Sequence, residues 1–210
     1  MSPRAGRRSG VLELAILGLL QESPMHGYEL RKRLTGVLGA FHSISYGSLY
    51  PALKDLTARG WLSEQPGDDA QSSGRSKVVY HLTADGKEHF QQLLSEAGPE
   101  AWDDERFGVR LAFFGRTDQS VRLRVLEGRR SRLEERLDTL RASLQRGRER
   151  MDNYTLELQQ HGLDSVEREV RWLDELIASE RSHPTDSDAP NGRSATTATG
   201  TGTVPTARRT

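Results

Sequence analysis

Apolar residues recur every three or four positions through residues 11–58, a period that predicts three successive helices, each with one buried face. The first helix is predicted to end near Glu22, because Ser23 precedes Pro24 and a residue before proline avoids the helical conformation. A second helix is predicted from about His26, and a third over residues 46–58. The buried residues of the first helix are predicted to be either Leu14, Leu17 and Leu20 or Ile16, Leu19 and Leu20. Those of the second are predicted to be some combination of Tyr28, Leu30, Leu34 and Leu38, and those of the third are Leu49, Leu53 and Leu56.

After Gly60 the pattern changes from helical to extended. A short strand is predicted at residues 61–63, a long loop in the segment QPGDDAQSSGRS, and a second strand in KVVYHLT. Thr83 is placed to cap a further helix, with Asp85 in its first turn. Three helices, a β-hairpin and a fourth helix follow the order of a winged-helix domain, which we predict over residues 11–95. The predicted fold class is therefore mainly α with a small β-hairpin.

The third helix carries unusually little charge on the side opposite its leucines. Gly47, Pro51 and Lys54 occupy that side, flanked by Ser48 and Tyr50. A major groove about 12 Å wide accepts a helix whose outer side chains are neither bulky nor negative, so this face fits a DNA-reading helix. The alternative is that Gly47 and Pro51 only shape the turn, and that Tyr46 and Tyr50 belong to the core.

A second zone, predicted over residues 96–182, has a different apolar repeat. Alternating spacings of four and three form a heptad seam, which favours pairing with a second chain in a coiled-coil-like dimerisation domain. Gly162 is predicted to end that helix, and Asp164 with Glu167 resembles a capping box that begins a final one. The alternative is a helical hairpin within one chain. The seam residues are Leu133, Leu137, Leu140, Leu144, Gly147, Met151, Tyr154 and Leu158.

Composition narrows the classes of protein that the chain can represent. The chain has 210 residues, no Cys, and equal numbers of Lys plus Arg and Asp plus Glu, 30 of each. The apolar run at residues 11–20 is too short for a membrane span, so we expect a cytoplasmic protein without a membrane partner. Residues 1–10, with Arg4, Arg7 and Arg8, are predicted to form a mobile basic arm, and the Thr-, Ser- and Gly-rich residues 183–210 a disordered tail.

The sequence offers little support for an enzyme, a metal site or a cofactor. The six histidines are scattered, with no pair at the i, i+4 spacing of a helical metal site, and no phosphate-binding loop or nucleophile elbow is present. We expect His26 to bond backbone at the start of the second helix. No catalytic residue, metal ligand or cofactor is therefore predicted.

Three motifs in order resemble the PadR family of bacterial transcriptional regulators. They are Pro-Met-His-Gly-Tyr-Glu at residues 24–29, Gly-Ser-Leu-Tyr-Pro-Ala-Leu at residues 47–53, and Gly-Arg-Ser-Lys-Val-Val-Tyr-His-Leu-Thr at residues 74–83. The resemblance extends over residues 11–182 and implies a dimeric winged-helix protein that binds a palindromic DNA operator. Most often such a protein is a repressor that a small molecule releases. An activator, or a winged-helix module that binds protein and not DNA, remains an alternative.

The candidate site residues follow from the motifs and the helix face together. We expect DNA contacts from Tyr46, Gly47, Ser48, Tyr50, Lys54, Arg31 and the wing residues Arg75 and Lys77. The wing tip departs from the family pattern because it carries Asp68 and Asp69, which phosphates would repel, so the tip is expected to point away from DNA. The family holds effectors near the junction of the two zones, where Trp102, Phe113 and Trp172 are candidates. The alternative for these aromatic residues is a role in the core.

Overall fold

A computed structural model describes residues 3–38, 46–67, 78–104 and 106–182, with the side chains of residues 10–36, 47–67, 78–104 and 106–182. Within these ranges the chain is mainly helical, with one small antiparallel sheet, as the sequence predicts. The predictions for Arg75, Lys77, Asp68, Asp69 and the 183–210 tail concern residues outside the described ranges, as does the prediction for the side chain of Tyr46.

The N-terminal part contains four helices in the predicted order. They are α1 (Pro3–Leu20), α2 (Gly27–Leu38), α3 (Tyr46–Ala58) and α4 (Ala84–Ser95). Thr83 caps α4 as predicted, because its hydroxyl oxygen accepts a hydrogen bond from the Gly86 N–H at 3.0 Å. Helix α1 begins earlier than the sequence indicated, since its first residues belong to the segment predicted as an arm. Proline is favoured at a helix start, and arginine and alanine propagate helices well.

The sheet has three strands in the order β1-β3-β2: β1 (Met25–His26), β2 (Leu62–Pro66) and β3 (Val78–Leu82). Strands β2 and β3 form the predicted hairpin, with Leu62 opposite Leu82 and Glu64 opposite Tyr80. Strand β1 was not predicted, because two residues are too short to show a strand period. It pairs with β3 through Met25 opposite Tyr80 and His26 opposite Val79, and thereby fixes the start of α2 against the sheet.

The second zone folds as a helical hairpin reached through short connecting elements. A 3-10 turn (Pro99–Trp102), α5 (Phe107–Ala112) and a second 3-10 turn (Phe114–Arg116) lead into α6 (Gln119–Gly147). A third 3-10 turn (Arg148–Arg150) then leads to α7 (Asn153–Ser182), which packs back along α6.

The prediction of one continuous seam from Leu133 to Leu158 is wrong. Helix α6 ends at Gly147, and Asp152 starts α7 by accepting hydrogen bonds from the backbone N–H groups of Tyr154 and Thr155 at 2.9 and 3.0 Å. The Thr155 hydroxyl also donates a hydrogen bond to the Asp152 carboxylate at 2.7 Å. This bond is the main reason that the pKa of the Asp152 carboxyl is lowered. A side-chain cap of this kind stabilises a helix start and separates the two halves of the predicted seam.

The hairpin core contains the first half of that seam. Leu133 and Leu137 are buried in one cluster with Val166, Leu173 and Ile177 of α7. The alternative of a hairpin within one chain therefore holds for these two leucines. Leu140 packs at the edge of the cluster, whereas Tyr154 and Leu158 are 90% and 67% exposed.

Gly162 does not end a helix, contrary to the sequence-based prediction. It lies within α7, as do Asp164 and Glu167, so no capping box forms there. A single glycine costs a helix only about 1 kcal/mol, and the packing of Leu163 and Val166 against α6 outweighs that cost.

Three buried or half-buried arginines hold the connecting elements together. Arg110 donates to the carbonyl oxygens of Leu93 and Glu96 at 2.5 and 2.6 Å and so caps the end of α4. Arg129 donates to Glu169 at 2.7 Å and to Asp104, while Arg122 pairs with Glu180 at 2.8 Å across the hairpin.

Helix α5 and the residue pair after it belong to two cores at once. Val109 and Phe113 are buried in the N-terminal core, whereas Phe107 and Phe114 are buried in the hairpin core. Phe113 lies against Gly18 of α1, where a Cβ atom would overlap its ring.

Two glycine substitutions should change stability in opposite directions. A Cβ on Gly86 would overlap the carbonyl oxygen of Trp61, so Gly86→Ala should lower the free energy of unfolding by about 1–3 kcal/mol. A Cβ on Gly162 meets nothing within 4 Å, so Gly162→Ala should raise it by about 0.5–1 kcal/mol. Urea denaturation followed by circular dichroism measures both. Equal effects of the two changes would contradict the packing described for Gly86.

Candidate nucleic-acid interface

Helix α3 separates a buried leucine stripe from an exposed face with little charge. Leu49, Leu53 and Leu56 are at most 1% exposed, which confirms the predicted stripe. On the opposite side the exposed residues are Gly47, Ser48, Tyr50, Pro51 and Lys54. Tyr50 is 48% exposed, so the alternative that places this tyrosine in the core is wrong.

The exposed face of α3 carries one acidic residue, which is paired with an arginine, and one lysine. Asp55 forms an ion pair with Arg59 at 2.9 Å, whereas Lys54 forms no ion pair with any residue that the structure describes. Lys54 therefore presents a cation to the surroundings. Arg31, a further predicted DNA contact, lies on α2 and is half-buried.

Pro51 lies in the second turn of α3, slightly later than the first-turn position that the sequence suggested. Proline has no N–H to donate to the carbonyl oxygen four residues earlier, which here belongs to Gly47. The start of α3 therefore keeps a backbone acceptor and two small residues, Gly47 and Ser48, on its open side.

A cleft with a volume of about 460 Å³ lies between the start of α2, helix α3 and strand β3. We name it the tyrosine cleft; its lining residues are His26, Gly27, Tyr28, Glu29, Tyr50, Val78 and Tyr80. His26 Nδ1 donates to the carbonyl oxygen of Val78 at 3.2 Å, so this histidine does bond backbone, but on the sheet and not on its own helix.

Sequence reasoning missed Tyr28 and Tyr80 as residues of this site. Tyr28 was counted among candidate core residues of the second helix, but it is 68% exposed. The signal was present in the spacing: Tyr28 precedes the buried Leu30 by two positions, which places it on the opposite side of a helix. Tyr80 stands in the third family motif, but its place beside Tyr28 depends on strand β1, which the sequence does not predict.

The Tyr80 hydroxyl at the floor of the cleft stays protonated to unusually high pH. Burial raises its pKa above the ordinary value of 10.0, and the charge of Glu64 and the nearby Tyr50 hydroxyl raise it further. At neutral pH the cleft floor therefore carries a hydrogen-bond donor and not a phenolate.

The three candidate effector residues each have a different packing partner. Phe113 stands edge-on to Phe90 at 5.8 Å in the N-terminal core, and Trp102 covers Gly128. Trp172 is 41% exposed and stands edge-on to Phe107 at 6.2 Å. Of the three, Trp172 alone is exposed.

Metal and membrane chemistry have no candidate among the described residues. Within these ranges no group of three or more His, Asp or Glu side chains is placed to hold a metal ion. None of the helices in the described part of the chain combines the length and apolar character that a membrane crossing requires.

Comparison with family models gives two matches in succession. Residues 16–92 match the transcriptional regulator PadR-like family, and residues 105–179 match the family described as virulence activator alpha C-term. The first match covers α2, α3 and the sheet, and the second covers the helical hairpin.

Individual relatives come from *Bacillus subtilis*. The negative transcriptional regulator PadR of strain 168 is 34% identical over 97 residues, which is 45% of this chain and 52% of that protein, so the match spans about half of the relative's length. A crystal structure of *B. subtilis* PadR in complex with operator DNA is 25% identical, covers 81% of this chain and 99% of that chain, and has a TM-score of 0.40. The structure of that protein in complex with p-coumaric acid has the same identity and coverage and a TM-score of 0.38.

The raised pKa of Tyr80 can be measured by its absorbance. In a spectrophotometric titration, the difference between the parent and Tyr80→Phe should show one phenol that ionises above the ordinary value of 10.0. Because the unfolded chain releases this proton at a lower pH, the group should reduce stability as the pH rises past that value. Glu64→Gln should lower the pKa of Tyr80, and the control Glu88→Gln on α4 should not. A Tyr80 that ionises below 10.0 would contradict the burial and charge described for the cleft floor.

Proposed function

We propose, because this chain belongs to the PadR-like family of transcriptional regulators, that it binds double-stranded DNA through the exposed face of α3. The observation that carries the proposal is the pairing of two opposite faces on one helix. The leucine stripe holds α3 in the core, and the other side presents Gly47, Ser48, Tyr50 and Lys54, which forms no ion pair with a described residue. Small and positive outer residues allow a helix to enter the major groove.

Within this arrangement different residues contact different parts of the DNA. Ser48 and Tyr50 near the helix start reach base edges and so select sequence, whereas Lys54 lies one turn further along. The wing residues Arg75 and Lys77 follow β2 in the chain and contact phosphates, which adds affinity without sequence preference.

A homodimer fits the helical hairpin, although its contacts differ from the predicted seam. Leu133 and Leu137 are used inside the chain, while Tyr154 and Leu158 leave apolar surface exposed on α7. We place the contact between chains on that surface, with Leu144 and Met151 beside it. A two-fold dimer presents its two reading helices to a palindromic operator whose half-sites are about one helical turn or a small multiple apart.

Repression released by a small molecule is the mode of regulation that we propose. The *B. subtilis* relative is described as a negative regulator, which favours repression over activation. Trp172 beside Phe107 is the most accessible aromatic residue at the junction and is our candidate for effector contact, together with Trp102 and Phe113. As a DNA-bound regulator, the protein would be found with the nucleoid.

Alanine substitutions on α3 and on the wing should distinguish contacts that select a DNA sequence from contacts that add affinity for any sequence. Lys77→Ala should weaken binding to operator and random duplexes alike and reduce the salt dependence by about one charge per half-site. Ser48→Ala should reduce the preference for operator over random DNA. Titrations at several salt concentrations measure both, with Lys87→Ala on α4 as the matched control. If Lys77→Ala lost only specific binding, the assignment of wing and helix would be wrong; if the parent bound duplexes without salt dependence, a protein-binding module would be favoured.

Two leucine substitutions should distinguish the leucine that folds the hairpin from the leucine that joins two chains. Leu158→Asp places a charge on exposed surface of one chain, so the protein should stay folded but lose about 2 kcal/mol or more of dimer stability if that surface meets a partner. Leu137→Asp buries a charge inside the hairpin and should unfold it. Sedimentation and circular dichroism distinguish the two results. A folded Leu158→Asp protein that remains dimeric would place the interface elsewhere.

A further inference from the structure

Three tyrosine hydroxyls of the tyrosine cleft have no hydrogen-bond partner among the residues that the structure describes. Tyr28 and Tyr50 stand at the rim and are 68% and 48% exposed, whereas Tyr80 at the floor is only 8% exposed. The cleft therefore holds a deep donor and two accessible ones that an outside acceptor can satisfy.

The position of the cleft between α3 and β3 suggests which acceptor could reach these hydroxyls. Its walls are the reading helix α3, through Tyr50, and the wing strand β3, through Val78 and Tyr80. When a reading helix lies in the major groove and a wing approaches the neighbouring minor groove, the DNA strand between the two grooves must cross between helix and wing.

We propose that the tyrosine cleft seats this strand, and that the hydroxyls of Tyr28, Tyr50 and Tyr80 donate hydrogen bonds to its phosphate and sugar oxygens. The proposal rests on the proposed function, since it assumes that α3 enters the major groove. Tyr28 stands in the first family motif but is not among the predicted DNA contacts, and the proposal makes it a positioning residue.

Two carboxylates among the described residues bear on the charge of the cleft. Glu29 in the lining receives a hydrogen bond from Arg33 at 3.2 Å, which offsets its negative charge, whereas Glu64 lies opposite Tyr80 on the sheet and raises the pKa of that tyrosine. The tyrosines are neutral donors, so their contacts release no counterions. Such contacts should add affinity on every sequence without adding to the salt dependence.

The test is Tyr28→Phe, which removes one exposed hydroxyl and leaves the ring in place. Affinity for genomic operator fragments and for random duplexes should fall alike, by about threefold to tenfold, with an unchanged slope against salt. Tyr154→Phe is the matched control, because Tyr154 is 90% exposed on α7, and it should bind like the parent. Circular dichroism checks that both variants are folded.

A second measurement locates the contact on the DNA. Single neutral methylphosphonate groups are placed along each strand of an operator duplex and combined with Tyr28→Phe in double-mutant cycles. The two changes should be less than additive at one phosphate per half-site, on the strand between the major groove read by α3 and the adjacent minor groove. They should be additive at the other phosphates, and Tyr154→Phe should be additive throughout.

The outcomes separate this inference from the proposed function. If the parent binds DNA with a steep salt dependence and Tyr28→Phe binds both duplexes equally well, the strand does not occupy the cleft, and only the inference is overturned. Loss of operator binding alone would make Tyr28 a base reader and would also overturn it. A parent protein without salt-dependent duplex binding overturns the proposed function and the inference together.

Discussion

The burial of one leucine stripe decides what this protein can present to a partner. Leu49, Leu53 and Leu56 lock α3 into the N-terminal core, and a helix fixed on one side exposes the opposite side in a fixed orientation. Removing any of these leucines would cost about 2–5 kcal/mol, a large part of the stability of a small domain. The exposed face of α3 and the tyrosine cleft both depend on that orientation, because each includes residues of α3.

The parts of the fold that were predictable are those in which one helix or strand pairs with its neighbour along the chain. The stripe of α3, the Thr83 cap and the pairing of β2 with β3 each leave a local signal in spacing or residue type. Strand β1 leaves none, because its two residues acquire their conformation from β3, which lies far away in sequence. The same dependence left the position of Tyr80 beside Tyr28 and Tyr50 unpredicted.

The helical hairpin shows a different limit of sequence reasoning. A heptad spacing indicates that a helix packs against an apolar partner, but it does not indicate whether that partner is another chain or a later part of the same chain. Leu133 and Leu137 satisfy the pattern within the chain, and the cap at Asp152 turns the chain back to supply their partner. The seam spacing continues across this turn, but Tyr154 and Leu158 lie on α7 and not on α6.

The sharing of α5 between two cores has a mechanical consequence. Val109 and Phe113 belong to the core that supports α3, while Phe107 and Phe114 belong to the core of the hairpin. Helix α6, which follows α5 in the chain, has 29 residues and is therefore about 43 Å long. A rotation of about 5° at α5 would displace the far end of the hairpin by about 4 Å, given that helix length. The hairpin is thus a long arm that is attached, through α5, to the core that also holds α3.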